Sequence, residues 1–135
     1  MKVAVFGQFE NTFPEEHVNI VLDTLQKHHV NTIIEGNCLS KIQNINDYAS
    51  FNTCKDLDES FDFLISIGGD GTILRAISLI RNLNIPIIGV NTGRLGFLST
   101  IQKEEIETSI TKIIEGKYII CSIIIRSKNI RRCKS

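Results

Sequence analysis

The chain has 135 residues, 42% of them hydrophobic and 22% charged, which is enough apolar material for one domain with a real core and too little length for two. No run of about 18 uninterrupted apolar residues offers a membrane span, and the first residues lack the basic region and apolar core of a secretory signal, so a cytoplasmic location is expected. The formal net charge is zero.

Lys2 to Phe6 reads as a short apolar strand. Asn11-Thr12-Phe13-Pro14-Glu15-Glu16 then supplies a cap, a first-turn proline and first-turn acids to a helix reaching about His29, with Val18, Val21, Leu22 and Leu25 at helical spacing facing a sheet. Thr32 to Glu35 is a second strand, ended by Gly36-Asn37. Residues 37–60 are mixed: Leu39, Ile42 and Ile45 suggest a short helix, whereas the Asn and Asp spacing suggests loop. Phe61 to Gly68 is a buried-strand run, followed by a helix from Thr72 to Asn82 that Ile73, Ile77 and Ile80 with Leu74 and Ala76 make apolar on two sides. Ile85 to Val90 is a further strand, and Lys103-Glu104-Glu105-Ile106-Glu107 opens a helix that runs through Ile113-Ile114 and stops at Gly116. Alternating strands and helices predict an α/β fold, a Rossmann-like parallel sheet with flanking helices.

The residue types that carry chemistry are concentrated in one place. Cys38, Cys54, Cys121 and Cys133 are scattered without a Cys-x-x-Cys pair, so free thiols are expected rather than a zinc ribbon or a disulfide framework. His17, His28 and His29 read as surface residues, and no metal ligand set is assigned. Gly68-Gly69-Asp70-Gly71-Thr72, by contrast, sits between a strand and a helix. Its glycines permit positive φ and close backbone approach, so that N–H groups can converge on an anion at a helix N-terminus. Asp70 would repel a phosphate there unless a cation or a substrate hydroxyl intervenes. That pairing of phosphate cradle and carboxylate points to phosphoryl transfer to an alcohol.

Gly68 to Thr72, followed by Ile73-Leu74-Arg75-Ala76, resembles the signature of NAD kinases and of the wider kinase superfamily sharing that turn. Asn91-Thr92-Gly93-Arg94-Leu95-Gly96-Phe97-Leu98-Ser99, after the strand Ile85 to Val90, resembles the second NAD kinase motif. A lipid kinase would be expected to show a Gly-Thr-Gly-Asn-Asp type segment there instead. The opening Lys2 to Gln8 also fits, and the resemblance extends to about Tyr118. It implies the N-terminal domain of the NAD kinase fold, with both motifs at the carboxyl edge of the sheet, where ligands sit in open α/β proteins.

The resemblance further implies an ATP-dependent phosphorylation of the 2′-hydroxyl of the adenosine ribose of NAD, giving NADP. In that reading Asp70 binds or deprotonates the hydroxyl, Gly68, Gly69, Gly71 and Thr72 surround the phosphates, Phe97 packs near the adenine, and Leu74 helps wall the same pocket. Asn91 joins them as a binding residue of the second motif. ATP with Mg²⁺ or another divalent metal is the expected donor and NAD the substrate, with no nucleic-acid or membrane partner; intact members are expected to be homo-oligomeric. Arg75 and Arg94 stand outside the catalytic set, each meeting either phosphate or solvent. Two alternatives remain open: a lipid or sugar kinase with the same turn, and a non-catalytic nucleotide-binding remnant.

Beyond Gly116 the charge balance changes. Residues 1–116 hold 9 basic residues and all 15 acids, whereas residues 117–135 hold 6 basic residues and no acid. The resemblance implies continuation into a second, largely β domain that supplies an Asn-Glu pair, yet Cys121-Ser122-Ile123-Ile124-Ile125 and the basic end do not look like it. The expected organisation is therefore an α/β nucleotide-binding domain at 1–117 and a basic tail at 118–135, a truncated or frameshifted start of the β domain. Family membership then does not bring turnover by the isolated chain with it.

Overall fold

The apolar runs of this chain are rich in Val and Ile and lack the alternation of a half-exposed strand, the pattern of a parallel sheet covered on both faces. The computed structural model describes residues 1–9, 12–42, 48–125 and 128–134, with only the backbone at Cys54 and from residue 121 onward. Its strands are β1 (Lys2–Gly7), β2 (Asn31–Glu35), β3 (Ala49–Phe51), β4 (Phe63–Gly68), β5 (Ile87–Asn91), β6 (Ile119–Ile125) and β7 (Lys128–Lys134). They form one sheet in the order β3-β2-β1-β4-β5-β7-β6. β3 to β5 make a five-stranded parallel sheet, as expected, and β6 and β7 form an antiparallel hairpin beside β5, which β7 meets at the pair Ile87 and Arg132.

Helices α1 (Glu15–Lys27) and α4 (Ile106–Ile114) cover one face, and α3 (Asp70–Ile80) covers the other. Successive residues of β1 divide between the two layers, as the strand period of two requires. Val3 and Val5 join Val18, Val21, Leu22, Leu25, Ile106 and Ile110 in one core, while Ala4 and Phe6 join Ile73, Ala76, Ile77 and Ile80 in the other. Each such buried side chain contributes roughly 1.5–3 kcal/mol of transfer free energy. Among the described residues no helix is long and apolar enough to cross a membrane.

Several expected boundaries move, each for a local reason. Pro14 occupies the cap position of α1 rather than its first turn and makes no side-chain capping bond, while Asn11, the first residue of the expected capping segment, lies outside the described residues. The helix stops at Lys27, and His29 leaves it with φ 56°. Gly36-Asn37 does not end the second strand in a turn but opens the short helix α2 (Gly36–Leu39), because the Glu35 carboxylate accepts the Asn37 and Cys38 amides at 3.1 Å each. Ile45 lies outside the described residues, and the edge strand β3 stands where only mixed structure was expected. The motif strands span Phe63–Gly68 and Ile87–Asn91, shifted from the Phe61 and Ile85 starts expected.

α3 begins at Asp70, two residues before the expected Thr72, and ends at Ile80 because Arg81 adopts φ 51°. It is one-sided rather than two-sided, since Leu74 is 45% exposed. A single 3-10 turn, Lys103–Glu105, precedes α4, and Gly116 closes that helix at φ 78°, a left-handed exit that suits glycine. Of the histidines, His29 is exposed, whereas His17 and His28 are partly buried, the His28 ring lying 3.3 Å from Thr111 Oγ1. Burial pushes the Cys38 thiol up to about 12, with the Glu35 carboxylate adding to the shift.

Candidate functional site

Both glycine motifs lie at the carboxyl edge of the sheet, on adjacent strands: Gly68 pairs in register with Asn91. Every residue of β4 is buried, so the strand delivers Gly68 to this edge as a fixed point. Gly68 has φ 153°, and a Cβ there would stand 2.3 Å from Thr72 Oγ1. This is the one position in the first motif where glycine is needed for the backbone itself. Gly69 is extended, with φ −112° and ψ −165°, and caps α3 without a side chain. A Cβ on Gly69 or Gly71 would meet nothing within 4 Å, so the surface beside the first turn of the helix is open.

Asp70 is the first helical residue, and its carboxylate turns toward the second motif. Oδ2 accepts the Phe97 amide, and Oδ1 accepts the Leu98 and Ser99 amides, all at 2.9 Å. Charge-assisted bonds of this kind are roughly twice as strong as neutral ones. Gly96 is cleared for the same carboxylate, since a Cβ at that position would stand 2.2 Å from Asp70 Oδ1. Gly68 completes the junction through its carbonyl, which accepts the Thr92 amide at 3.1 Å and the Ser99 hydroxyl at 3.3 Å.

The second motif is a loop that leaves β5 at Asn91 and returns beside it at Ile101. The Asn91 amide donates to Ile101 O at 2.7 Å, and the Ile101 amide to Gly89 O at 3.1 Å. Asn91 is 3% exposed and shapes the loop from within: its Oδ1 accepts the Gly93 amide at 2.9 Å, and its Nδ2 donates to Arg94 O at 2.6 Å. On the outer surface, Phe97 is 91% exposed and so plugs no core, and Leu74 is half-exposed one helical turn after Asp70.

The candidate residues therefore divide. Asp70, Gly69, Gly71, Leu74 and Phe97 border open space at one edge, while Thr72 and Asn91 are buried and support the backbone beneath. Arg75 donates to the Gln8 side chain in the loop after β1. Ser99 and Gly96 lie in the second motif but are not among the expected site residues. Ser99 is fully buried and joins the two motifs, and its place at the close of the second motif was the available signal.

Where the loop ends, Lys103 meets Glu16 of α1 at 2.7 Å, and this bond holds the Glu16 carboxyl below its ordinary range. The His17 imidazole is also lowered, first by burial and then by the Lys103 charge. Among the described residues no three His, Cys, Asp or Glu side chains cluster closely enough to hold a metal.

Residues 8–118 match the family of the ATP-NAD kinase N-terminal domain. The chain belongs to the NAD kinase family. It is 44% identical over 122 residues to an NAD kinase of Christiangramia forsetii, covering 87% of this chain and 42% of that one. It is 46% identical over 124 residues to an NAD kinase of Flavobacterium psychrophilum, covering 89% and 42%. An NAD kinase of Pseudomonas fluorescens is 28% identical over 130 residues, covering 96% of this chain and 43% of its own. The chain thus spans well under half the length of these relatives. Their shared name does not favour the alternative of a lipid or sugar kinase, and the family match contains both glycine motifs.

Proposed function

We infer that this chain carries the nucleotide-gripping part of an NAD kinase, which transfers the terminal phosphoryl group of ATP to the 2′-hydroxyl of the adenosine ribose of NAD and yields NADP. The observation that carries the reading is the Asp70 carboxylate, fixed by three loop amides at the carboxyl edge of a parallel sheet, between an uncapped helix start and two exposed apolar side chains.

In this role Asp70 accepts the proton of the 2′-hydroxyl as that oxygen bonds to the γ-phosphorus. The bond from phosphorus to the bridging oxygen breaks, and ADP leaves with its electron pair. An unaided alcohol is a weak nucleophile, so a positioned carboxylate raises the rate, and the loop amides aim it. Gly69 and Gly71 leave room for phosphate oxygens beside the first turn of α3, whose dipole favours an anion. Leu74 and Phe97 offer an apolar surface to the adenine. Thr72 and Asn91, both buried, serve the site by holding Gly68 and the second loop in place.

Among the described residues no group of His, Cys, Asp or Glu side chains is arranged to hold a metal. Mg²⁺ belongs in this scheme to the nucleoside triphosphate that it accompanies. The α/β body at 1–117 is the nucleotide-binding unit in this proposal, and the segment from 118 onward supplies the hairpin that extends its sheet beside β5.

The test is NADP formation from ATP, Mg²⁺ and NAD, with NAD binding followed at Leu74 and Phe97 by NMR, in the chain and in its Asp70→Asn variant. Asn at 70 keeps one acceptor oxygen and directs an NH₂ at an amide donor, so NADP formation is expected to vanish. Equal NADP formation in both proteins overturns the role of Asp70, and NAD shifts at neither residue overturn the substrate.

A further inference from the structure

We propose that the free edge of β6 pairs antiparallel with β6 of a second copy of this chain, joining two sheets into one about a two-fold axis. The strand order ends on β6, whose outer edge meets no other described strand. A seven-residue strand in that place presents a row of unpaired N–H and C=O groups roughly 20 Å long, a template for another strand. The opposite rim of the sheet is β3, which at three residues is too short to serve that way. Each copy therefore has one long edge, and pairing that edge with its own counterpart closes at two molecules instead of growing into a fibre.

The sequence of β6 carries none of the features that keep an edge single. Ile119-Ile120-Cys121-Ser122-Ile123-Ile124-Ile125 has no charge, no proline and no glycine, and its isoleucines suit a strand. The body holds the hairpin in place. The Tyr118 ring packs edge-on against Phe63 of β4 at 5.4 Å, the Lys117 amide donates to Lys112 O at 2.8 Å, and β7 joins β5 at the pair Ile87 and Arg132. A strand already formed in this way loses less freedom on pairing than a disordered peptide would. At its first two positions Ile119 is 71% and Ile120 39% exposed, apolar surface that a second copy would cover.

Charge and symmetry favour a second copy as the occupant. The rim is neutral on both sides of the seam, so two copies meet there without like charges opposite one another. Lys128, Arg131, Arg132 and Lys134 belong to β7, one strand in from the rim. Across the seam the two β7 strands lie three strand spacings apart, about 14 Å, beyond the roughly 8–10 Å at which salt screens charges. An acidic partner is drawn instead to β7, which already has a strand on either side. Aligned end to end, Ser122 stands opposite its own counterpart and Ile119 opposite Ile125. A seam one strand long is a small interface, below about 1,200 Å², so a reversible dimer in the micromolar range is expected.

The pairing also sets the direction of the two sites. β7 runs parallel to β5 and β6 antiparallel to β7, so an antiparallel β6 pair turns the parallel strands of the two copies in opposite directions. The two carboxyl edges, each with its own Gly68 and Asn91, then face away from one another, and neither copy lends a residue to the other's site.

The experiment is sedimentation equilibrium of the 135-residue chain over a range of concentrations, with amide hydrogen exchange on the same samples. Reversible dimerisation is expected, together with slower exchange of alternate amides in residues 119–125 as concentration rises, because the other amides already face β7. Ile120→Lys and Ser122→Lys are each expected to raise the dimer dissociation constant about tenfold, whereas Ala49→Lys on β3 should leave it unchanged. Ser122→Glu alone should dimerise as poorly as Ser122→Lys. An equimolar mixture of the two should recover the dimer, which a hairpin that had merely unfolded could not do. A chain that stays monomeric into the millimolar range, a dimer that both β6 lysine variants leave intact, a mixture that does not recover it, or assemblies that grow past two copies would overturn the proposal. Protection of residues 119–125 by phosphatidylserine vesicles, with no dimer in solution, would do the same.

Discussion

The two glycine motifs use the same residue for opposite purposes. In Gly68 to Thr72, glycine serves the backbone: Gly68 takes a φ of 153° so that a buried strand can turn into a helix over Thr72. In Asn91 to Ser99, glycine serves a neighbour, because Gly96 is bare where the Asp70 carboxylate must pass. The first motif is rigid through its own strand and helix, whereas the second takes its shape from contacts with Asn91, Gly68 and Asp70. The site thus has a firm half and a dependent half, with one carboxylate as the connection.

Substitutions can separate these uses. Gly68→Ala meets both the disfavoured φ and the Thr72 side chain, and should cost about 3 kcal/mol in urea unfolding, the sum of a backbone and an overpacking effect. Gly96→Ala should cost about 2 kcal/mol, mainly by displacing the carboxylate from its three amides. The comparison sharpens in a double-mutant cycle. Asp70→Ala removes what the new methyl would strike, so Gly96→Ala and Asp70→Ala should together cost clearly less than the two single changes added. Additive costs would mean that the loop does not hang from Asp70.

Gly69→Ala marks the other limit. Its backbone angles suit alanine and its Cβ would point into open space, so the gain from a less disordered unfolded state should roughly cancel the loss of glycine at the cap of α3, leaving stability within about 0.5 kcal/mol. The same methyl should weaken ligand binding by occupying room that the site needs. A variant as stable yet poorer at binding would show that this glycine is kept for what lies outside it.

The smallest expected effect lies where the loop ends. Lys103→Gln should raise the Glu16 titration toward its ordinary range, and His17 as well, although burial still lowers the latter; both are readable by NMR. A lowered folded-state titration contributes stability above the unfolded value, and that contribution is lost as pH falls through the folded one. The ion pair is exposed, so removing it should leave the unfolding midpoint near neutral pH almost unchanged.

These contrasts also show what could be read from the sequence. The sheet was legible because β1, β4 and β5 are largely apolar runs and α1 keeps Val18, Val21, Leu22 and Leu25 on one face. β3 was not, since of Ala49, Ser50 and Phe51 only Phe51 is buried, and three residues carry no period. A short helix near Leu39 was suggested by its apolar spacing, but its start at Gly36 was hidden because its cap is a glutamate, outside the usual Ser, Thr, Asp and Asn set. At the site, Asp70 was legible by type and setting. Its partners were not, because a backbone amide is present at nearly every residue and leaves no letter. Asn91 shows the same gap: a polar side chain at a glycine turn reads alike in the sequence whether or not it also bonds the loop backbone, as Asn91 does to Gly93 and Arg94.

The return of Ile101 to the strand that Asn91 has just left gives the second motif both its feet on β5. A ring anchored in this way can change shape at its tip without lengthening or shortening the span between its anchors. Pressure applied to Phe97 is therefore passed to Asp70 at the start of α3 and, through Ser99, to Gly68 at the end of β4. The tip of the ring is tied to α3 by one side chain that accepts three consecutive amides.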